Sequence, residues 1–174
     1  PGKSQADLLV AWVGPKRRSA DYLPAALGNN ILGEFGMMGR IGEVVRVQAG
    51  LAYYAQSSLS AGVGPGSWSI GAGIEPANVE QALELMMKEA RRFVSEPVSR
   101  QELVDSQDHF IGSLPLSMET NSGVASALTM LERYQLGLDY FQTIVEQVRS
   151  VTTEQVLETA QHYVDPERTV IVAA

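Results

Sequence analysis

The first apolar run, ADLLVAWVG (6–14), is almost continuous and stops at Gly14-Pro15. A run this short between breakers predicts a strand buried on both faces. From Tyr22 the period changes. Leu23, Ala26, Leu27 and Ile31 recur at helical spacing, Pro24 suits a first turn, and Ser19 or Asp21 is placed to cap the helix. The string GEFGMMG (33–39) reads as a glycine-punctuated loop. RIGEVVR (40–46) then reads as a short helix with Ile41, Val44 and Val45 inward, and Gly50 stands where a helix-ending glycine belongs.

Residues 52–59, AYYAQSSL, predict a strand. In SWSIGAGI (67–74) the alternation is strict: Trp68, Ile70, Ala72 and Ile74 share one face, Ser67, Ser69, Gly71 and Gly73 the other. The glycine-proline string between them predicts a hairpin. The clearest helix follows, with Pro76 in its first turn and Val79, Ala82, Leu83, Met86, Met87, Ala90, Phe93 and Val94 at spacings of three and four. SRQE (99–102) is a capping box opening a helix with Leu103, Phe110 and Ile111 that meets Pro115. Further helices are expected over roughly 119–136 and 138–151. TTEQ (152–155) caps a last helix reaching Val164, and RTVIVAA (168–174) closes as a strand. Strand, helix, helix, hairpin, a run of helices, strand is not regular βα alternation. It predicts an α+β fold: a two-layer sandwich, mostly antiparallel, with helices packed on one face.

The 174 residues favour a single domain over 1–174, and 45% apolar residues are enough for one core. No apolar run reaches the length of a membrane helix, and the opening PGKSQADLLVAWVG is not a signal peptide. The first residue is Pro, so the chain reads as a piece of a longer protein; the expectation is a soluble, cytoplasmic one. With no cysteine, disulfides and thiolate metal sites are excluded. A net charge of −7, with 13 Lys and Arg scattered along the chain, argues against nucleic acid.

Candidate chemistry is sparse. His109 and His162 are 53 residues apart and belong to no H-x-x-E-H or H-E-x-x-H pair. GEFGMMG lacks the Lys-Ser/Thr of a phosphate loop, and no G-x-S-x-G marks a serine nucleophile. The methionines at 37, 38, 86, 87, 118 and 130 read as core or loop packing. That leaves Arg46 and Tyr53, seven residues apart across a glycine turn. Read without context, they are a helix-end arginine and a half-buried strand tyrosine.

The string NNILGEFGMMGRIGEVVRVQAGLAYYAQSSLS (29–60) resembles the second-half domains of the pitrilysin-like inverzincin peptidases, which include processing peptidases of mitochondria and bacteria. The likeness rests on Leu32-Gly33, Gly39-Arg40-Ile41, Arg46 and Gly50-Leu51-Ala52-Tyr53. It extends through KSQADLLVAWVG, GIEPANVEQALELMMKEARRF, PVSRQELVDSQDHFIGSLPLSMET and VTTEQVLETAQHYVDPERTVIVAA. Glu34 departs from the pattern, which often has glycine there, as do Val47 and Gln48, where charges are usual.

The resemblance implies the same two-layer fold and a role as the non-zinc-binding half of a zinc metalloendopeptidase. It implies that Arg46 and Tyr53 are catalytic donors and that zinc is held by a homologous domain or subunit, with no metal or cofactor bound by this chain. The implied substrate is a peptide or unfolded polypeptide, and a homo- or heterodimer is a compatible assembly. The alternative is a catalytically inactive structural or binding subunit, like a respiratory-complex core protein. By itself the chain is expected to bind no catalytic zinc and to cleave no peptide.

Overall fold

A computed structural model describes residues 5–34 and 38–174. Strands β1 (Ala6–Gly14), β2 (Ala52–Ser60), β3 (Gly66–Ile74) and β4 (Val170–Ala173) form one antiparallel sheet in the order β2-β3-β1-β4. The helices are α1 (Tyr22–Asn29), α2 (Val79–Ser95), α3 (Arg100–Ser117), α4 (Asn121–Tyr134), α5 (Tyr140–Ser150) and α6 (Thr153–Tyr163). Two wider, π-wound segments, Asn30–Glu34 and Gly42–Gln48, flank the glycine loop. Residues 35–37 of that loop, including Met37, lie outside the described part. The fold is the α+β sandwich that the element order implies.

The alternation of β3 puts Trp68, Ile70, Ala72 and Ile74 into the core. They share it with Leu27 of α1, Met86, Ala90 and Phe93 of α2, and Val156 and Ala160 of α6. Trp68 and Phe93 meet edge to face, their ring centroids 5.9 Å apart. Strand β1 corrects an expectation. Leu8, Val10 and Trp12 are buried, but Leu9 is 42% and Val13 68% exposed. The helices cover one face of the sheet, so this strand alternates although its sequence is apolar on both sides.

Both capping boxes form. The Ser99 hydroxyl accepts from the Glu102 N–H at 3.2 Å while the Glu102 carboxylate accepts from the Ser99 N–H at 2.7 Å, and Thr152 and Gln155 repeat the exchange. At α1 the cap differs from expectation. Asp21 occupies the cap position without a side-chain cap bond, and Ser19 Oγ instead accepts from the Asp21 N–H. Helix α3 continues through Pro115 to Ser117, because a proline so near the end removes only one interior hydrogen bond. Ser106 donates to the Leu27 carbonyl, and Gln107 donates to the carbonyls of Val148 and Val151, so α3 is tied to α1 and α5 through buried bonds. Among the described residues no helix is long and apolar enough to cross a membrane.

Candidate functional site

Gly33, next to last in the first π-wound segment, is pressed against β2: a Cβ there would lie 2.6 Å from the Ser57 amide nitrogen. Gly39, on the far side of the loop, stacks on Gly33, and its Cβ would fall 2.5 Å from the Gly33 Cα. Backbone approaches this close admit no side chain. The two glycines therefore bring both ends of the loop onto one spot of the sheet. From there Ile41 and Val45, fully buried, hold the Gly42–Gln48 segment on the core. Val44, expected inward, is half-buried, while Arg46, Val47 and Gln48 face solvent.

Arg40 anchors the start of this segment. Its Nε and Nη2 donate to the two carboxylate oxygens of Glu102 at 2.7 and 3.0 Å, a fork-on-fork pair. Its Nη1 lies 3.6 Å from Glu89 Oε1, and both atoms are sealed from solvent without a hydrogen bond. Burial pushes the Glu89 carboxyl above its ordinary value, although Arg92 and Arg40 oppose the shift. Burial also acts upward on Glu102, but hydrogen bonds from Arg40 and Ser99 overcome it and hold that carboxyl at about 2. A cavity of about 270 Å³ opens beside this cluster, lined by Ile31, Met38, Arg40, Glu102 and Asp105. Arg46 and Tyr53 are not in its wall.

Three residues separate the π-wound helix from β2, and their backbone bonds are made. Ala49 N–H donates to the Val44 carbonyl, Gly50 N–H to Arg46 and Leu51 N–H to Val45, at 3.0–3.2 Å. Gly50 adopts φ +66°, the left-handed conformation that closes a helix. Strand β2 then begins with an irregularity. Ala52 pairs with Ile74 and Tyr54 with Gly73, so Tyr53 is the extra residue of a β-bulge. Tyr54 lies over Gly73 and donates its hydroxyl to Asp7 at 2.9 Å. Tyr53 is 79% exposed. Among the described residues, neither the Tyr53 hydroxyl nor the Arg46 guanidinium bonds to another side chain or to backbone.

The arrangement is a closed turn with an unengaged cation before it and an unengaged phenol after it. Both π-helical winding and bulges concentrate where a side chain must be re-aimed. His109 and His162 are far from this turn in the chain, on α3 and α6, and among the described residues no group of three His, Cys, Asp or Glu is placed to hold a metal ion. The Arg40–Glu89–Glu102 cluster is absent from the sequence reading. One signal was there: Glu89 falls on the same face as Met86 and Phe93, a charge inside an apolar stripe.

Gly33 and Gly50 are required for different reasons, which ranks their substitutions. Gly33→Ala drives a methyl into backbone and is expected to cost about 2–3 kcal/mol. Gly50→Ala meets nothing within 4 Å and pays only the left-handed conformation, about 1–2 kcal/mol. Urea unfolding of the two variants ranks them, and a larger loss at Gly50 would contradict the packing described here.

The model of the family described as the peptidase M16 inactive domain matches residues 1–109. Among curated proteins none matches the chain. A solved peptidase M16 inactive domain from Pseudomonas fluorescens is 26% identical and superposes with a TM-score of 0.91 over 100% of this chain and 41% of its own. The inactive peptidase domain of a Bordetella parapertussis protein is 18% identical, with a TM-score of 0.81 over 100% of this chain and 94% of its own. A chain of complex III2 from Candida albicans is 15% identical, with a TM-score of 0.83 over 99% of this chain and 43% of its own. The chain thus spans about two-fifths of the Pseudomonas protein's length, and the last two likenesses speak for the fold alone. With the family model covering well over half of its residues, the chain belongs to the family of peptidase M16 inactive domains.

Proposed function

We propose that this chain is the second-half domain, over its whole length, of a zinc metalloendopeptidase and contributes Arg46 and Tyr53 to a site whose metal is held elsewhere. The observation that carries this reading is the Gly50 turn, which leaves a guanidinium and a phenol exposed and without internal partners. When a peptide bond is hydrolysed, negative charge grows on the scissile carbonyl oxygen. Donors already presented, with no native bond to break, stabilise that charge at the moment it forms. Arginine suits the task because it stays charged and offers a planar fork, and tyrosine adds a neutral donor.

The donor set of the described residues does not fit a zinc ion. In this reading the metal belongs to a homologous domain or subunit, where it supplies Lewis acidity and an activated water. The substrate class is a peptide or unfolded polypeptide, and the companion is a zinc-bearing copy of this fold on the same or a partner polypeptide. A second reading, a structural subunit without catalysis, draws on the likeness to the complex III chain.

Reconstitution separates the two. The zinc-bearing companion alone is expected to cleave a quenched fluorescent peptide slowly, and adding this 174-residue chain is expected to raise the rate by at least about tenfold. An unchanged rate on addition would favour the structural subunit.

A further inference from the structure

Arg17 is a buried cation without a counterion. It is 8% exposed, and among the described residues no carboxylate lies within 4.0 Å of it. Its guanidinium sits over the Tyr22 ring at 3.9 Å, with the Tyr140 and Tyr134 rings at 5.5 and 5.9 Å. Nη2 donates to the Tyr140 hydroxyl at 2.7 Å and reaches the Met130 sulfur at 3.9 Å. Three aromatic faces offset part of the desolvation of a guanidinium, but they supply no negative charge. Tyr22 cannot supply one by ionising, because burial pushes its pKa up despite the arginine beside it.

Arg17 also lines a cavity of about 370 Å³ whose wall includes Arg18, Ser19, Ala20, Asp139, Thr143 and Gln147. The first turns of α1 and α5 both border it, through Tyr22 and Leu23 on one side and Tyr140 and Thr143 on the other. Neither helix has a side-chain cap bond at that end; Pro24 has no N–H, and the amides of Tyr22, Ala25, Tyr140, Gln142 and Thr143 donate to carbonyls of the preceding residues. Among the described residues, Asp139 is the one carboxylate in the wall. The site is remote from Tyr53. Ala6 of β1 aligns through Ile74 with Ala52, whereas Gly14 aligns with Gly66 at the other end of the sheet, and the Arg17 N–H donates to the Gly62 carbonyl there.

We propose that this cavity binds a small oxyanion, a carboxylate or phosphate group, with Arg17 as the buried cation and Arg18 at the rim. The site owes nothing to the peptidase reading and stands or falls separately.

The test is a ¹⁵N–¹H titration of the 174-residue chain with sodium phosphate and, separately, sodium acetate, each against sodium chloride at equal ionic strength. Saturable shifts confined to the amides of 18–20 and 140–143 are expected, with a Kd on the order of 1 mM or tighter. Saturation by either salt supports the site and identifies the group it takes. Arg17→Gln is expected to weaken binding at least about tenfold. Should that variant fail to fold, two rim variants decide: Arg18→Ala is expected to weaken binding and Asp139→Asn to tighten it. Shifts that never saturate with either salt, or equal affinity in Arg18→Ala and Asp139→Asn, would overturn the proposal and leave Arg17 as a strut between α1 and α5.

Discussion

On the proposed function, Tyr53→Phe and Arg46→Ala, each made in the complete protein with its zinc-bearing companion, are expected to lower turnover of a peptide substrate by about 10²–10³-fold. The melting temperature should move by no more than about 2 °C. The two halves of this expectation have separate origins. Folding is spared because neither side chain holds anything together: Tyr53 is the unpaired residue of the bulge, and Arg46 points outward from a segment fixed by Ile41 and Val45. On the proposed role, catalysis suffers because losing a donor made only to the charged oxygen of the transition state lowers kcat without much change in KM. If the two groups act on one oxygen, the double variant should lose much less than the product of the single losses.

The adjacent tyrosine is the control. Tyr54 differs from Tyr53 by one position, yet its hydroxyl is committed to Asp7. Tyr54→Phe should therefore leave turnover near that of the parent. Equal turnover in Tyr53→Phe and the parent, or equal damage from the two substitutions, would refute the assigned role. These measurements concern the turn at Gly50 and do not bear on the cavity at Arg17.

Local chemistry was readable wherever a short stretch of chain decides the outcome. Trp68, Ile70, Ala72 and Ile74 alternate because β3 has one covered face, and the alternation is visible in eight residues. Ser99 with Glu102 and Thr152 with Gln155 announce helix starts because each box satisfies its own backbone donors. Gly50 is equally local. What failed depends on neighbours distant in the chain. Leu9 and Val13 are apolar like Leu8 and Val10, so the open side of β1 shows only once the helices are in place. The bulge at Tyr53 is a matter of how β2 counts against β3, and no feature of AYYAQ reveals the extra residue. Arg17 sits in the polar string KRRSADY (16–22), and its burial comes from α4 and α5 more than a hundred residues on. The proposed pairing of Arg46 with Tyr53 rests on likeness to a family, since helix-end arginines and strand tyrosines are common.

Arg40→Met should be among the most damaging substitutions for stability, at about 3–5 kcal/mol near pH 7. Arg40 joins the segment that carries Arg46 to α2 through Glu89 and to α3 through Glu102, all from a site one-tenth exposed. Among the described residues, removing it leaves buried Glu89 with only Arg92, at 3.6 Å. The pH dependence identifies the cause. Glu102, held at about 2 against an ordinary 4.5, contributes stability that is complete above 4.5 and lost as pH falls toward 2. Glu89 is shifted the other way, so its anion is penalised in the folded state and acid relieves the penalty. The parent should therefore lose stability on acidification from pH 4.5, while Arg40→Met, relieved at Glu89 and no longer supported at Glu102, should lose less. The gap between them should be smaller at pH 4 than at pH 7. Adding Glu89→Met to Arg40→Met should recover much of the loss at pH 7, because an apolar pair replaces a broken ionic one. Urea unfolding of the three proteins at pH 7 and pH 4 measures all of this. A loss below about 1 kcal/mol at pH 7, or a gap that widens in acid, would show that Arg40 does not hold the segment through these carboxylates.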